Sequence, residues 1–496
     1  MPGYAADEAF ARSREAFAEL EQWLEGPEAA GLAHAELEDQ IGERGRELQR
    51  LQFQAHLDLR AAREVRRRDV TGPDGSARPR AERGRTRRLS SVFGPVIVSR
   101  IAYRAPGMPD VHPADAELNL PPGRHSHGLR KLIAEAAAHG SFGQAAARVT
   151  GRTGSRAGKR QCQEQARFAA ADFAGFYASR TPPAGAPGGV LALECDGKGI
   201  IVLPGQMRPE QKRKSRGKAR RQPDGHLSRG ETRNRKRMAE AGAVFDVTPV
   251  PRAPGDIMRP PGAPGPRPQA PQATGKWVTA SITRNATAVV ASAFAEADRR
   301  DPARGRTWIA LADGNAHQIA RIRAEAAARD ITVTIVVDFI HVIEHLWDAA
   351  WCFCPEASPD AGPWVRAHAA TVLDGRAGDA ANAIRDAITS AGDRLSPAKN
   401  KAAAAVAAYL DNKAPYLDYP KALAAGWPIS TGVIEGTCRH LIKDRMDITG
   451  ARWGICTAEA ILQLRALHAN GDFDNYWNYH LEQEHGRNYP RYTLAA

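Results

Sequence analysis

The chain has 496 residues, 43% of them hydrophobic and 25% charged, with a net charge of +13. That length holds several domains and a sizeable core, while no apolar run reaches the roughly eighteen residues of a membrane span and the N-terminus lacks the basic-then-apolar pattern of a secretory signal. Six cysteines in so long a chain exclude a disulfide framework, which points to a reducing cytoplasm, and the basic surplus favours nucleic acid over membrane as the partner.

Residues 8–69 read as helix, with Leu37, Ile41, Leu48, Leu51, Ala55 and Leu59 forming an apolar stripe. This predicts an N-terminal arm over 1–70, either a dimerisation arm or a helix packed on its own domain. From Thr71 the stretch TGPDGSARPRAERGRTRR reads as a turn-rich basic link, and 89–103 as a short hairpin or sheet. Residues 128–149 form two helices around a turn at 139–142, with Ser141 as N-cap, and a third helix starts near Lys159. With Arg148, Arg152, Arg156, Lys159 and Arg160 on its flank, this region over 71–181 is compatible with a helix-turn-helix DNA reader, although helical hairpins in bundles share the pattern.

A Pro/Gly linker over 182–190 leads into LALECDGKGIIVL at 191–203, a strand interrupted by Asp196, where a carboxylate needs a reason. Next, residues 207–238 carry thirteen Lys or Arg against three acids, the densest basic run. Lys212, Arg213, Lys214, Arg216, Arg235, Lys236 and Arg237 are its candidate phosphate contacts. Strands follow at 243–250 and 276–284, separated by a Pro/Gly-rich excursion. After a helix at 286–300 come a strand at 306–311 leading to Asp313, a helix at 316–329, and a strand at 331–337 ending at Asp338. Three strands, then helix, strand, helix, strand, predicts an α/β ribonuclease H-like core over 191–338, a mixed sheet flanked by helices with active groups at strand ends. A helical insertion follows over 339–428, then core helices over 429–470 bearing Glu435, and an aromatic, polar tail over 471–496. Together with the mainly α-helical DNA-binding region upstream, this is the predicted organisation.

Asp196, Asp313 and Glu435 supply the hard oxygen ligands for two Mg²⁺ ions, with Mn²⁺ able to substitute, as phosphodiester cleavage requires. Asp338 competes with Asp313 for the second position. It begins DFIHVIEHLW, in which His341, Glu344 and His345 share a helical face as groups that orient the carboxylates or the scissile phosphate. Zinc on that face, helped by Cys352 and Cys354, is the alternative. Neither a phosphate-cradling Gly-x-x-x-x-Gly-Lys loop nor a Gly-x-Ser-x-Gly elbow occurs, so neither an NTPase nor a serine hydrolase is supported.

The motifs LECDGKG (193–199), LADGNAHQ (311–318), DFIHVIEHLW (338–347) and STGVIEGTCRHLIKDRMDITGARW (430–453), with FGPVIVSRIAYRA (93–105) and GLRKLIAEAAAHGSFGQAA upstream, resemble insertion-sequence transposases of the DDE class, ISKra-type group, and more distantly the Mutator-like superfamily. The resemblance covers nearly the whole chain. It implies Asp196, Asp313 and Glu435 as the catalytic, metal-binding triad and makes Asp338 and His341 an Asp-x-x-His element between the second acid and the glutamate. It also implies that Arg439, Lys443, Arg445 and Arg452 face phosphate. The expected activity is cleavage at element ends and strand transfer into target DNA by a homo-oligomer, at least a dimer, acting on terminal inverted repeats at the bacterial nucleoid. A nuclease of the same fold and a non-catalytic DNA-binding derivative are the alternatives.

Overall fold

The computed structural model describes residues 9–183, 185, 188–207, 236–259, 269–355, 357–448 and 450–490. The chain divides into two compact units. One is Met1–Ala178 with Gly471–Ala496, the other Ser179–Asn470. Among the described residues no helix is long and apolar enough to cross a membrane.

The first unit opens with helices Ala11–Glu25, Pro27–Ala30 and His34–Arg63. A two-stranded antiparallel sheet follows, β1 (Arg80–Ser91) and β2 (Gly94–Arg104). The second half of the stretch expected as a basic link, from Arg80, is therefore strand. Its arginines have poor reason to pair by propensity, but β2 supplies the ladder, and Leu89, Val96 and Val98 bury with Leu57 and Leu120. Helices His127–His139, Phe142–Thr153 and Lys159–Ala169 come next, at the expected places. Ser141 starts the second of them. Its hydroxyl accepts from Gln144 N–H at 3.2 Å, and Gln144 Oε1 accepts from Ser141 N–H at 2.9 Å. The expected C-terminal tail is instead a helix, Phe473–Asn488, which buries Phe473, Tyr476, Trp477, His480 and Glu484 within this unit. Aromatic residues three, four and seven apart make one helical face, and burying that face accounts for the order.

The second unit is built on a five-stranded mixed sheet flanked by helices. Its strands are β3 (Val190–Ile201), β4 (Lys236–Thr248), β5 (Gln272–Ser281), β6 (Thr307–Ala312) and β7 (Val333–Val337), in the spatial order β5-β4-β3-β6-β7. β3, β4 and β5 run antiparallel in sequence, while β3, β6 and β7 are mutually parallel. Helices Ala286–Arg300 and Ala316–Ala328 make the right-length crossovers that parallel pairing needs. Leu191, Ala192, Leu193, Ile309, Ala310 and Leu311 are almost wholly buried, as expected of central strands covered on both faces. Five helices from Phe339–Phe353 to Tyr419–Ala424 form the insertion. The chain returns through Gly432–Thr437, which passes directly into a π-helical turn, Cys438–Lys443.

Candidate functional site

Strand register sets the site. Glu194 pairs with Leu311, and Ala312 with Val337. Extending those pairings by one or two residues puts Asp196, Asp313 and Asp338 at one level across β3, β6 and β7. Neighbouring strands lie roughly 4.8 Å apart, so the three acids form a row at the C-terminal ends of the parallel strands. The ladder continues to this level, since Asp338 N–H donates to Ala312 C=O at 2.8 Å.

Each acid is held differently. Asp196 Oδ1 accepts from Gly197 N–H at 2.6 Å and its Oδ2 lies 3.5 Å from Cys438 Sγ, which ties β3 to the π-helical turn. Asp313 Oδ1 accepts from Asn315 N–H at 2.8 Å, and its own N–H donates to Gln318 Oε1 at 3.3 Å. Gln318 Nε2 donates in turn to Cys195 C=O, so one glutamine links the ends of β3 and β6. Asp338 is fully buried. Its Oδ1 caps the helix Phe339–Phe353 by accepting from Ile340 N–H at 2.7 Å. Its Oδ2 accepts from Thr431 N–H at 3.0 Å and from the Thr431 hydroxyl, and lies 3.3 Å from His341 Nδ1.

Thr431 is the hinge to Glu435, since its hydroxyl is also 3.3 Å from Glu435 Oε1. Donor atoms of Asp338, His341 and Glu435 consequently lie within 4.8 Å of one another, the one such group of three among the described residues. Asp196 and Asp313 instead share a cavity of about 610 Å³ with Glu240, Lys236, Arg237, Arg284 and Arg321. The expected triad is thus divided between two adjoining arrangements: Asp196 and Asp313 on the cavity, and Glu435 joined to Asp338 and His341. His345 lies outside the close group, its ring 4.0 Å from that of Tyr409, and burial lowers its pKa. Cys352 Sγ contacts Asp348 C=O at 3.3 Å and joins no metal-ligating group among the described residues.

Several residues that complete the site escape sequence reasoning. Glu194, only 1% exposed, accepts the Ile434 N–H at 2.5 Å and so holds the start of the helix bearing Glu435. Burial pushes its carboxyl up to about 8; the Ile434 N–H works the other way, and the fields of Asp338 and Glu435 reinforce the rise. The signal was its spacing, because LECD places Glu194 and Asp196 on one face of the strand. Tyr409 reaches in from helix Pro397–Lys413, and burial with the charges of Asp313 and Asp338 pushes its phenol up to about 12. Gly314 makes that approach possible: its φ is +88°, and a Cβ there would lie 2.7 Å from the Tyr409 hydroxyl.

The candidate DNA contacts fall in three places. Arg148, Arg152, Lys159 and Arg160 are exposed on the helices of the first unit, Arg160 pairing with Glu164 at 3.0 Å. Arg439, Lys443 and Arg452 are exposed in and after the run bearing Glu435, and Lys236 and Arg237 line the cavity. Lys212, Arg213, Lys214, Arg216 and Arg235 lie outside the described residues. Arg445 departs from the expectation. It is buried at 5% exposure with its guanidinium 4.7 Å over the Trp453 ring, so it supports the fold rather than facing phosphate.

Five carboxyl groups, Glu194, Asp196, Asp313, Asp338 and Glu435, converge on one end of the sheet. Hard oxygen donors at this density, with no thiolate among them, fit a magnesium- or manganese-type ion better than zinc. No family model and no curated protein matches the chain.

Proposed function

We propose that the chain is a DDE-class transposase with a ribonuclease H-like core, which cleaves DNA at the ends of an insertion sequence and joins the freed 3′-hydroxyl to target DNA. The observation that carries the reading is the acidic row on β3, β6 and β7 together with Glu435 on a helix far along the chain. The strand order β5-β4-β3-β6-β7, with the first three strands meandering and the last two parallel to the first, supports the ribonuclease H-like reading.

In this reading Asp196, Asp313 and Glu435 would hold two Mg²⁺ ions, or Mn²⁺ in their place, and metal bound there would supply neutralisation of phosphate charge and activation of an oxygen nucleophile at neutral pH. Asp338, His341 and Thr431 fix where Glu435 points, while Glu194 anchors the backbone beside it. Lys236, Arg237, Arg284 and Arg321 draw the phosphodiester backbone into the cavity beside Asp196 and Asp313. Water attacks at the element end in the first step, and the released 3′-hydroxyl attacks the target in the second. The helices of the first unit read the terminal inverted repeats, and an assembly of at least two copies brings both ends together at the nucleoid.

Pre-cut element ends incubated with supercoiled plasmid and Mg²⁺ test the assignment. Joined products support a transposase; cleavage of uncut ends without joining reduces the protein to a nuclease. Binding with neither reaction leaves only a DNA-binding role.

A further inference from the structure

β1 is a strand that buries little. Its sequence RAERGRTRRLSS carries five arginines against one glutamate in twelve residues, and only Leu89 and Ser91 are buried. Such a strand adds little to a core. Its pairing with β2 holds it extended, and no other strand covers its outer edge between Arg80 and Arg88 among the described residues. Arg80, Arg83, Arg85 and Arg88 are exposed along it.

Internal charge balance does not account for all of them. Arg85 lies 3.6 Å from Glu82 and 3.7 Å from Asp110, and Arg83 acts on Glu64 through its charge. Arg80 and Arg88 form no ion pair among the described residues. A second basic run adjoins the start of the strand: Arg66 donates to Pro79 C=O at 3.4 Å, with Arg67 and Arg68 exposed beside it. The ribbon is also bent. Register shifts between Glu82 and Arg85, at Gly84 with φ +73°, so two residues face one of β2 and the strand twists more strongly. A twisted two-stranded ribbon is narrow enough to lie along a DNA groove, and guanidinium forks match phosphate geometry.

We propose that the β1–β2 ribbon is a second duplex-DNA contact, with Arg80, Arg83 and Arg88 gripping the phosphate backbone outside the helices that carry Arg148, Arg152, Lys159 and Arg160. The proposal rests on DNA being the partner but not on catalysis. Arginines on a free edge have one competing use, which is to block sheet extension between copies.

Binding of the full chain to a labelled duplex of arbitrary sequence, titrated across salt without divalent ions, separates these uses. The triple variant R80Q/R83Q/R88Q is expected to bind roughly tenfold more weakly, with the slope of log affinity against log salt reduced by roughly two to three. R80K/R83K/R88K is expected to restore most of that slope. An unchanged slope in the glutamine variant, accompanied by concentration-dependent self-association, overturns the proposal in favour of edge protection. If the wild type shows no salt-dependent duplex affinity, both the proposal and the DNA reading fail; if it binds and only the triple variant is indifferent, the ribbon proposal alone fails.

Discussion

Glu194 is the residue whose behaviour separates the site from an ordinary buried strand. Its carboxyl accepts one backbone N–H while burial holds its pKa near 8, well above the usual 4.5. Because the folded-state value is raised, the stability tied to its neutral form is complete below about 4.5 and is lost as pH rises through about 8. Glu194→Gln keeps an acceptor for Ile434 and removes the titration. In EDTA, the fall in Tm from pH 5 to 8 is expected to be shallower in the variant, and parallel curves would show that the carboxyl is not buried as described. Glu194→Ala leaves the Ile434 N–H unpaired and is expected to lose roughly 1–3 kcal/mol in denaturant titration. Gly314→Ala places a methyl group against the Tyr409 hydroxyl at a positive φ, so it should lower both Tm and Mg²⁺-dependent cleavage. At this scale the sequence displayed Asp196, Asp313, Asp338 and Glu435 through their settings in strands and caps. It did not single out Glu194, Thr431 or Tyr409, because their importance comes from which neighbour each touches across seventy or more residues of chain.

At the scale of elements, β3, β6 and β7 and the two crossover helices were legible because apolar runs bounded by Asp, Gly and Asn fix both type and length. β1 and the helix Phe473–Asn488 were not, for opposite reasons. A strand made of arginines exists only through its partner, and a helix of aromatic and polar residues hides its buried face until a surface to bury it against is known. The junction between helix Phe339–Phe353 and the segment leading to Glu435 is where one element positions another. Asp338→Ala removes a helix cap and strands the Thr431 N–H in a buried place. It is expected to lower unfolding free energy by roughly 2–4 kcal/mol in urea titration. A loss below roughly 0.5 kcal/mol, the range of neutral surface changes, would mean that this junction does not hold Glu435.

For the whole molecule, most of the histidines whose values burial lowers lie in the first unit, among them His112, His125, His127 and His480, against His345 in the second. In the first unit burial, reinforced by the Arg130 charge, lowers His127 to about 4, and burial also lowers His480. Burial alone would raise Asp172, but hydrogen bonds from Arg487, at 2.6 and 2.8 Å, and from His480 outweigh it, leaving its carboxyl depressed. Histidines with depressed values lose stability as pH falls from 6.5 towards 4, and a depressed aspartate loses it as pH falls below 3.8. The first unit should therefore unfold ahead of the second on acidification, read as a separate calorimetric transition that moves down from pH 6.5 to 4. A single transition moving as one would contradict the division. Truncation after Asn470 removes Phe473, Tyr476 and Trp477 from the first unit, and its protease resistance should fall while the second unit's is kept.

We propose that the acidic end of the sheet cuts DNA with the help of a divalent metal. Incubation of the protein with Mg²⁺ and the DNA that flanks its own gene, with nicks mapped at each end, tests it most directly. Nicks are expected at defined positions at both ends, abolished by EDTA and reduced at least roughly a hundredfold by Asp196→Asn, Asp313→Asn or Glu435→Gln. Full Mg²⁺-dependent cleavage by Asp196→Asn would contradict it.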